Sequence, residues 1–142
     1  MQAGLQNQAQ TPVREQFIDT NVLLFFVQGH SRLPKRVARL IEDTSRRSVV
    51  SIASLWEISI KTSLGKLKFP PADDPDLPAL LCAEGFDVQP ISWPVIRRAS
   101  QFPWHHPDPF DRYIAAEVLT RDAQVQSTDP KLDRCGVERV GE

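Results

Sequence analysis

Short β-branched or apolar runs alternate with stretches of helical periodicity along almost the whole chain, and that alternation admits few folds. Residues 16–19, 48–51, 86–91, 124–127 and 137–140 read as strands, the last of them at an edge. Between them 21–28, 34–43, 52–66, 77–84, 94–101 and 109–121 read as helices, and Pro130 opens a last helical turn. Gly29 suits a helix C-cap, Pro34 a first turn, and Asp108-Pro109 an N-cap followed by the first helical position. Strands that alternate with helices imply an α/β fold, a parallel sheet flanked by helices on both faces as an α/β/α sandwich. Right-handed crossovers then bring the turns that follow the strands to one rim. In open sheets of this kind ligands bind beyond the carboxyl ends of the strands.

Which residues reach that rim decides what the chain can do. Phe17-Ile18-Asp19-Thr20-Asn21 ends the first strand on a carboxylate and opens a helix on Thr20 and Asn21. Ser127-Thr128-Asp129-Pro130 does the same after the fourth strand. Asp111 falls in the first turn of the helix that Asp108 caps, and Glu57 lies on the helix leaving the second strand. The apolar stripe expected on that helix is Ile52, Leu55, Trp56, Ile60 and Leu64, with Glu57 on its edge. Each acid has a purely structural alternative. Asp19 and Asp108 suit caps, Asp108 and Asp111 suit the positive end of a helix dipole, and Glu57 can pair with Lys61 four residues on. Four carboxylates directed to one rim from four segments make coincidence the weaker account.

Carboxylates held together repel, and some stay protonated unless a cation joins them. Hard oxygen donors select Mg²⁺, with Mn²⁺ able to substitute, rather than zinc. Such ions suit phosphodiester hydrolysis, because they acidify a water and hold the attacking and leaving oxygens. They also let a chain of net charge −1 meet a polyanion at the site itself.

At these residues the chain resembles a known family. Asp19-Thr20-Asn21, Leu55-Trp56-Glu57-Ile58, Asp108-Pro109-Phe110-Asp111-Arg112 with Ile114-Ala115-Ala116, and Ser127-Thr128-Asp129-Pro130 look like the ordered motifs of a PIN domain. They look most like those of the VapC ribonuclease toxins of bacterial toxin–antitoxin pairs. The resemblance covers roughly residues 17–140. It implies that Asp19, Glu57, Asp111 and Asp129 form the acidic metal-binding and catalytic set. Thr20 and Ser127 would hold hydroxyl positions beside it, with Asp108 a further participant of the DPFDR variant. It further implies a Mg²⁺-dependent endoribonuclease, an RNA substrate, a homodimer and a cognate antitoxin. Ser127 stands where Thr is more usual. The polar, Gln-rich residues 1–15 also depart from the pattern and read as a disordered extension to a domain over 16–142.

Other readings remain open at this level. One is a PIN-like module that binds RNA or protein without catalysis, and loss of one acid would have pointed to it. A receiver-like signalling domain also has an acidic rim, but wants paired acids after the first strand and a Lys after the last. A haloacid-dehalogenase-type phosphatase wants a second Asp where Asn21 stands. His105 and His106 invite zinc but bring no third ligand. Lys35, Arg36 and Arg39 read as a solvated helix face. Cys82 and Cys135 form no CxxC and suit a reducing compartment. No apolar run approaches the ~18 residues of a membrane span, so a cytoplasmic protein is expected.

Overall fold

The computed structural model describes residues 14–103 and 107–141. Strands β1 (Glu15–Ile18), β2 (Arg47–Ser51), β3 (Asp87–Gln89), β4 (Gln124–Gln126) and β5 (Glu138–Val140) form one sheet in the order β3-β2-β1-β4-β5. Every pairing in it is parallel. The helices are α1 (Thr20–Gln28), α2 (Lys35–Glu42), α3 (Ile52–Ser63), α4 (Leu77–Ala83), α5 (Trp93–Ser100) and α6 (Pro109–Thr120). Pro70–Asp73 and Pro130–Cys135 are 3₁₀ turns. The expected single α/β domain with a parallel sheet is the fold observed.

Alternation along the strands builds the two cores. Ile18 and Val50 face one layer, where Val22, Leu23, Val37, Leu55, Ile58 and Leu81 bury them. Phe17 and Val49 face the other, against Ile114, Ala115, Val118 and Val125. Both faces are covered, which is why the strands read as short apolar runs rather than as alternating polar and apolar residues. The chain winds from β1 out to β3, then crosses back to place β4 and β5 on the far side of β1. The winding therefore reverses between β1 and β4, and the crevice at that reversal is where this architecture takes ligands.

Two expectations change in the structure. Glu15, assigned to the extension, is the first residue of β1 and accepts two hydrogen bonds from Arg121, at 2.7 and 2.6 Å. Residues 1–13, and the His105-His106 pair, lie outside the described residues. The larger change is on α3. Its buried residues are Ala53, Ser54, Leu55, Glu57 and Ile58, whereas Trp56 and Leu64 are 57% and 61% exposed. The helix does not lie on one layer, as a single stripe assumes. Leu55 and Ile58 join the first core, whereas Ala53 packs in a separate cluster with Val95, Ala99, Tyr113 and Ala116 of α5 and α6, so small and polar residues face inward. The helix also stops at Ser63, short of 66. Gly65 takes a left-handed backbone (φ 72°), and Lys66 N closes on Lys61 O at 2.9 Å.

Candidate active site

The crevice between β1 and β4 receives its residues from the ends of those strands. Asp19 follows β1, and its backbone N–H reaches across to Gln126 O at 3.0 Å. It caps α1, with Oδ1 accepting from Thr20 N at 2.7 Å, while Oδ2 accepts from Ser127 Oγ at 2.7 Å. Ser127 Oγ in turn accepts from Asp129 N at 3.0 Å, and Asp129 caps the 3₁₀ turn through Lys131 N. On the other side Thr20 Oγ1 donates to Glu57 Oε1 at 2.7 Å, and Lys61 Nζ donates to Glu57 Oε2 at 2.8 Å. One hydrogen-bonded arc thus runs Lys61–Glu57–Thr20–Asp19–Ser127–Asp129. The capping and ion-pair alternatives raised by the sequence are present in this arc, and they occur in the same residues that converge on the crevice.

Asp111 approaches from α6. Asp108 performs the capping, its Oδ1 accepting from Phe110 N at 2.9 Å and from Asp111 N at 3.2 Å. Asp111 is half-buried in the first turn behind it.

Electrostatics binds the four acids into one unit. Burial pushes the Asp111 carboxyl up to about 8, and repulsion from Asp19, Asp108, Glu57 and Asp129 adds to the rise. Burial likewise pushes Asp19 up to about 6, against the hydrogen bonds from Ser127 and Thr20, with Glu57 and Asp129 adding repulsion. Asp19 and Asp111 therefore both feel the charges of Glu57 and Asp129, and Asp111 that of Asp108 as well. Among the described residues no three carboxylate, imidazole or thiolate side chains are grouped closely enough to hold a metal ion as they stand. Asp19, Glu57 and Asp129 are instead still bonded to donors of the chain itself. The donor set fits a hard divalent ion, being all oxygen, and the repulsion recorded in Asp111 is what such a charge relieves.

Several supports were not legible in the sequence. Arg139 holds the Ser127 carbonyl from β5 at 3.0 Å and Ser127 N bonds Val140 O at 3.0 Å, so the β5 edge fixes the serine that orients Asp19. Gly141 (φ 129°) packs its Cα against the Ser127 carbonyl, where a side chain would collide. Arg112 is buried beside Asp111. Arg139 and Gly141 carry no periodic or motif signal, and the motif that contains Arg112 does not reveal its burial, because each acts through a contact outside its own segment.

A family model for the PIN domain matches residues 17–138. The chain belongs to the PIN domain family. Solved structures share the PIN fold at low identity. VapBC-1 from nontypeable Haemophilus influenzae aligns at 17% identity and a TM-score of 0.59, covering 88% of this chain and 96% of that one. DNA-bound VapBC from Salmonella typhimurium aligns at 17% and 0.61, covering 90% and 98%. A toxin–antitoxin complex from Klebsiella pneumoniae aligns at 13% and 0.54, covering 82% and 88%. No curated protein matches the sequence. Among the described residues no helix is long and apolar enough to cross a membrane.

Proposed function

We propose that this PIN domain is a Mg²⁺-dependent endoribonuclease and the toxin of a VapC-type toxin–antitoxin pair. The observation that carries the reading is the hydrogen-bonded arc that brings Glu57, Asp19 and Asp129 to one crevice, where burial, with mutual repulsion added, pushes Asp19 and Asp111 upward. Asp19, Glu57, Asp111 and Asp129 would hold the ion, and Mn²⁺ should replace Mg²⁺. When bound, a divalent ion supplies charge for a phosphodiester's oxygens and acidifies water. The chain's own residues prepare for it. Thr20 and Ser127 fix the Asp19 carboxylate from both sides, Thr20 fixes Glu57, and Asp108 sets the start of α6 and so the place of Asp111. Purified protein should cleave single-stranded RNA with Mg²⁺ or Mn²⁺ and lose cleavage in EDTA. Undiminished cleavage by a metal-free preparation would sink the mechanism. A binding module without catalysis is the competing reading, and presence of all four acids argues against it.

Partners follow from two further observations. The solved neighbours include complexes named as toxin–antitoxin and VapBC, which supports an antitoxin for this chain. Trp56 and Trp93, 57% and 69% exposed, stand with half-exposed Ile60 and Ile91 on α3 and α5. Of these, Trp56 and Ile91 line a cavity of about 270 Å³ together with Ile96, Phe110 and Tyr113. A second copy of the chain would cover this apolar surface, giving a homodimer. Sedimentation at micromolar concentration should report a dimer that Trp56→Glu converts to a folded monomer. A monomeric wild type at that concentration would remove this assignment.

A further inference from the structure

Lys61 looks at first like half of an ordinary i,i+4 ion pair, which on a solvated helix is worth about 0.3–0.5 kcal/mol. Its partner does not fit that picture. The Glu57 side chain is 8% exposed and its second oxygen is taken by Thr20, whereas the Lys61 side chain is 47% exposed. The lysine stem therefore leads from a buried carboxylate to the open rim of the crevice. Asp108 and Asp111 act on the ammonium as well as Glu57, so it lies near the start of α6 as well as its own partner. An ammonium has three donors, and among the described residues Glu57 accepts one of them. The neighbouring guanidinium groups are committed elsewhere. Arg112 binds the carbonyls of Ala99, Phe102 and Pro103, and Arg139 binds Asp133 with the carbonyls of Ser127 and Gly141.

An RNA strand that enters the crevice brings a phosphate anion to a rim lined with carboxylates. A point charge on a flexible stem at that rim is suited to a phosphate oxygen. We propose that Lys61 is the phosphate-contacting cation of this site. Its ammonium keeps one bond to Glu57 Oε2 and donates another to a non-bridging oxygen of the phosphate held over the four acids. The assignment rests on the nuclease reading above and adds to it the group that receives the substrate backbone.

Binding of a fluorescein-labelled oligouridylate to the full chain, in Ca²⁺ to slow turnover, tests the contact directly. Each phosphate neutralised on a single strand contributes about −0.7 to the slope of log K against log salt. Lys61→Met should make that slope shallower by about 0.7 and weaken low-salt binding about tenfold, the size of one charge-assisted contact. Lys61→Arg should retain the wild-type slope, and calorimetric Mn²⁺ binding by Lys61→Met should be no weaker than wild type. An unchanged slope in Lys61→Met overturns the proposal. So does weakened Mn²⁺ binding with an unchanged slope, since Lys61 would then serve only to hold Glu57. If wild type cleaves RNA in Mg²⁺ but the slope does not move, this assignment alone fails. If wild type neither binds nor cleaves RNA, the nuclease reading falls and takes the assignment with it.

Discussion

Asp111→Asn is expected to give a folded protein that no longer cleaves RNA, no longer binds Mn²⁺ well, and is more stable than wild type in metal-free buffer above neutral pH. The substitution keeps size and shape and leaves the Asp108 cap intact, so α6 should still start where it does. Loss of a residue that merely orients a metal ligand costs about 10–100-fold, so loss of a ligand should cost at least the upper end of that range. The stability change has a definite sign. The folded Asp111 carboxyl is raised from 3.8 to about 8. Its contribution is fully present below the unfolded value and is lost as pH rises through the folded one. Wild type therefore loses stability from about pH 4 to about pH 8 and above. After discounting for solvent at a half-buried group, the loss is on the order of 1–3 kcal/mol. Asparagine cannot ionise and should flatten that slope.

Divalent ion should reverse the order. An ion at a hundred times its Kd stabilises the folded state by about 2.7 kcal/mol, and only wild type should gain it fully. Thermal melts at acid and alkaline pH, each with EDTA and with Mn²⁺, would show the two curves cross. A normal Mn²⁺ shift and normal cleavage by Asp111→Asn would reduce Asp111 to a helix-start residue. Asp108→Ser is the contrasting variant. Serine caps about as well as aspartate, so this protein should stay folded and keep partial activity.

The sheet and the convergence on its rim were legible because they depend on local periodicity and on topology rules that hold for most α/β chains. Strand and helix alternation sufficed to place Asp19 and Asp129 at strand ends on one edge, and the reversal between β1 and β4 brings those ends together. What was lost was burial. The α3 stripe failed because a helix wedged between two clusters buries more than one face, so Ser54 and Glu57 point inward while Trp56 and Leu64 do not. Periodicity records which residues are apolar and not which are covered, and a surface left for a partner produces the same pattern as a core. Buried charge was equally invisible. Glu117 is 2% exposed on α6, one oxygen lacks a partner among the described residues, and burial pushes its carboxyl up to about 7. In sequence it is one more helical glutamate four residues before an arginine.

Arg112 is the sharpest case, and its removal should be the most destabilising single change near the site. The motif Asp108-Pro109-Phe110-Asp111-Arg112 invites a reading of the arginine as a group for substrate phosphate. At 2% exposure it cannot serve as one. Its guanidinium donates to Ala99 O at 2.8 Å, Phe102 O at 2.7 Å and Pro103 O at 3.0 Å, and lies 5.8 Å from the centre of the Phe102 ring. These carbonyls belong to the end of α5 and the chain just beyond it, so one side chain of α6 ties that segment to the helix carrying Asp111. Arg112→Met fills much of the volume but leaves three carbonyls without this donor, and the Ala99 bond among them is buried away from water. Losing hydrogen bonds made by a charged group typically costs about 1.5–3 kcal/mol. Lysine should rescue little, because a compact ammonium cannot span acceptors arranged for a planar fork. We expect the urea midpoint of Arg112→Met to fall accordingly, with Arg112→Lys close to it. The fraction that remains folded should bind Mn²⁺ poorly, since the start of α6 is no longer fixed. If Arg112→Met unfolds within about 1 kcal/mol of wild type, below the range for losing a charged hydrogen-bond donor, the clamp does not hold the helix. If it also binds Mn²⁺ normally, the position of Asp111 is set by the Asp108 cap alone.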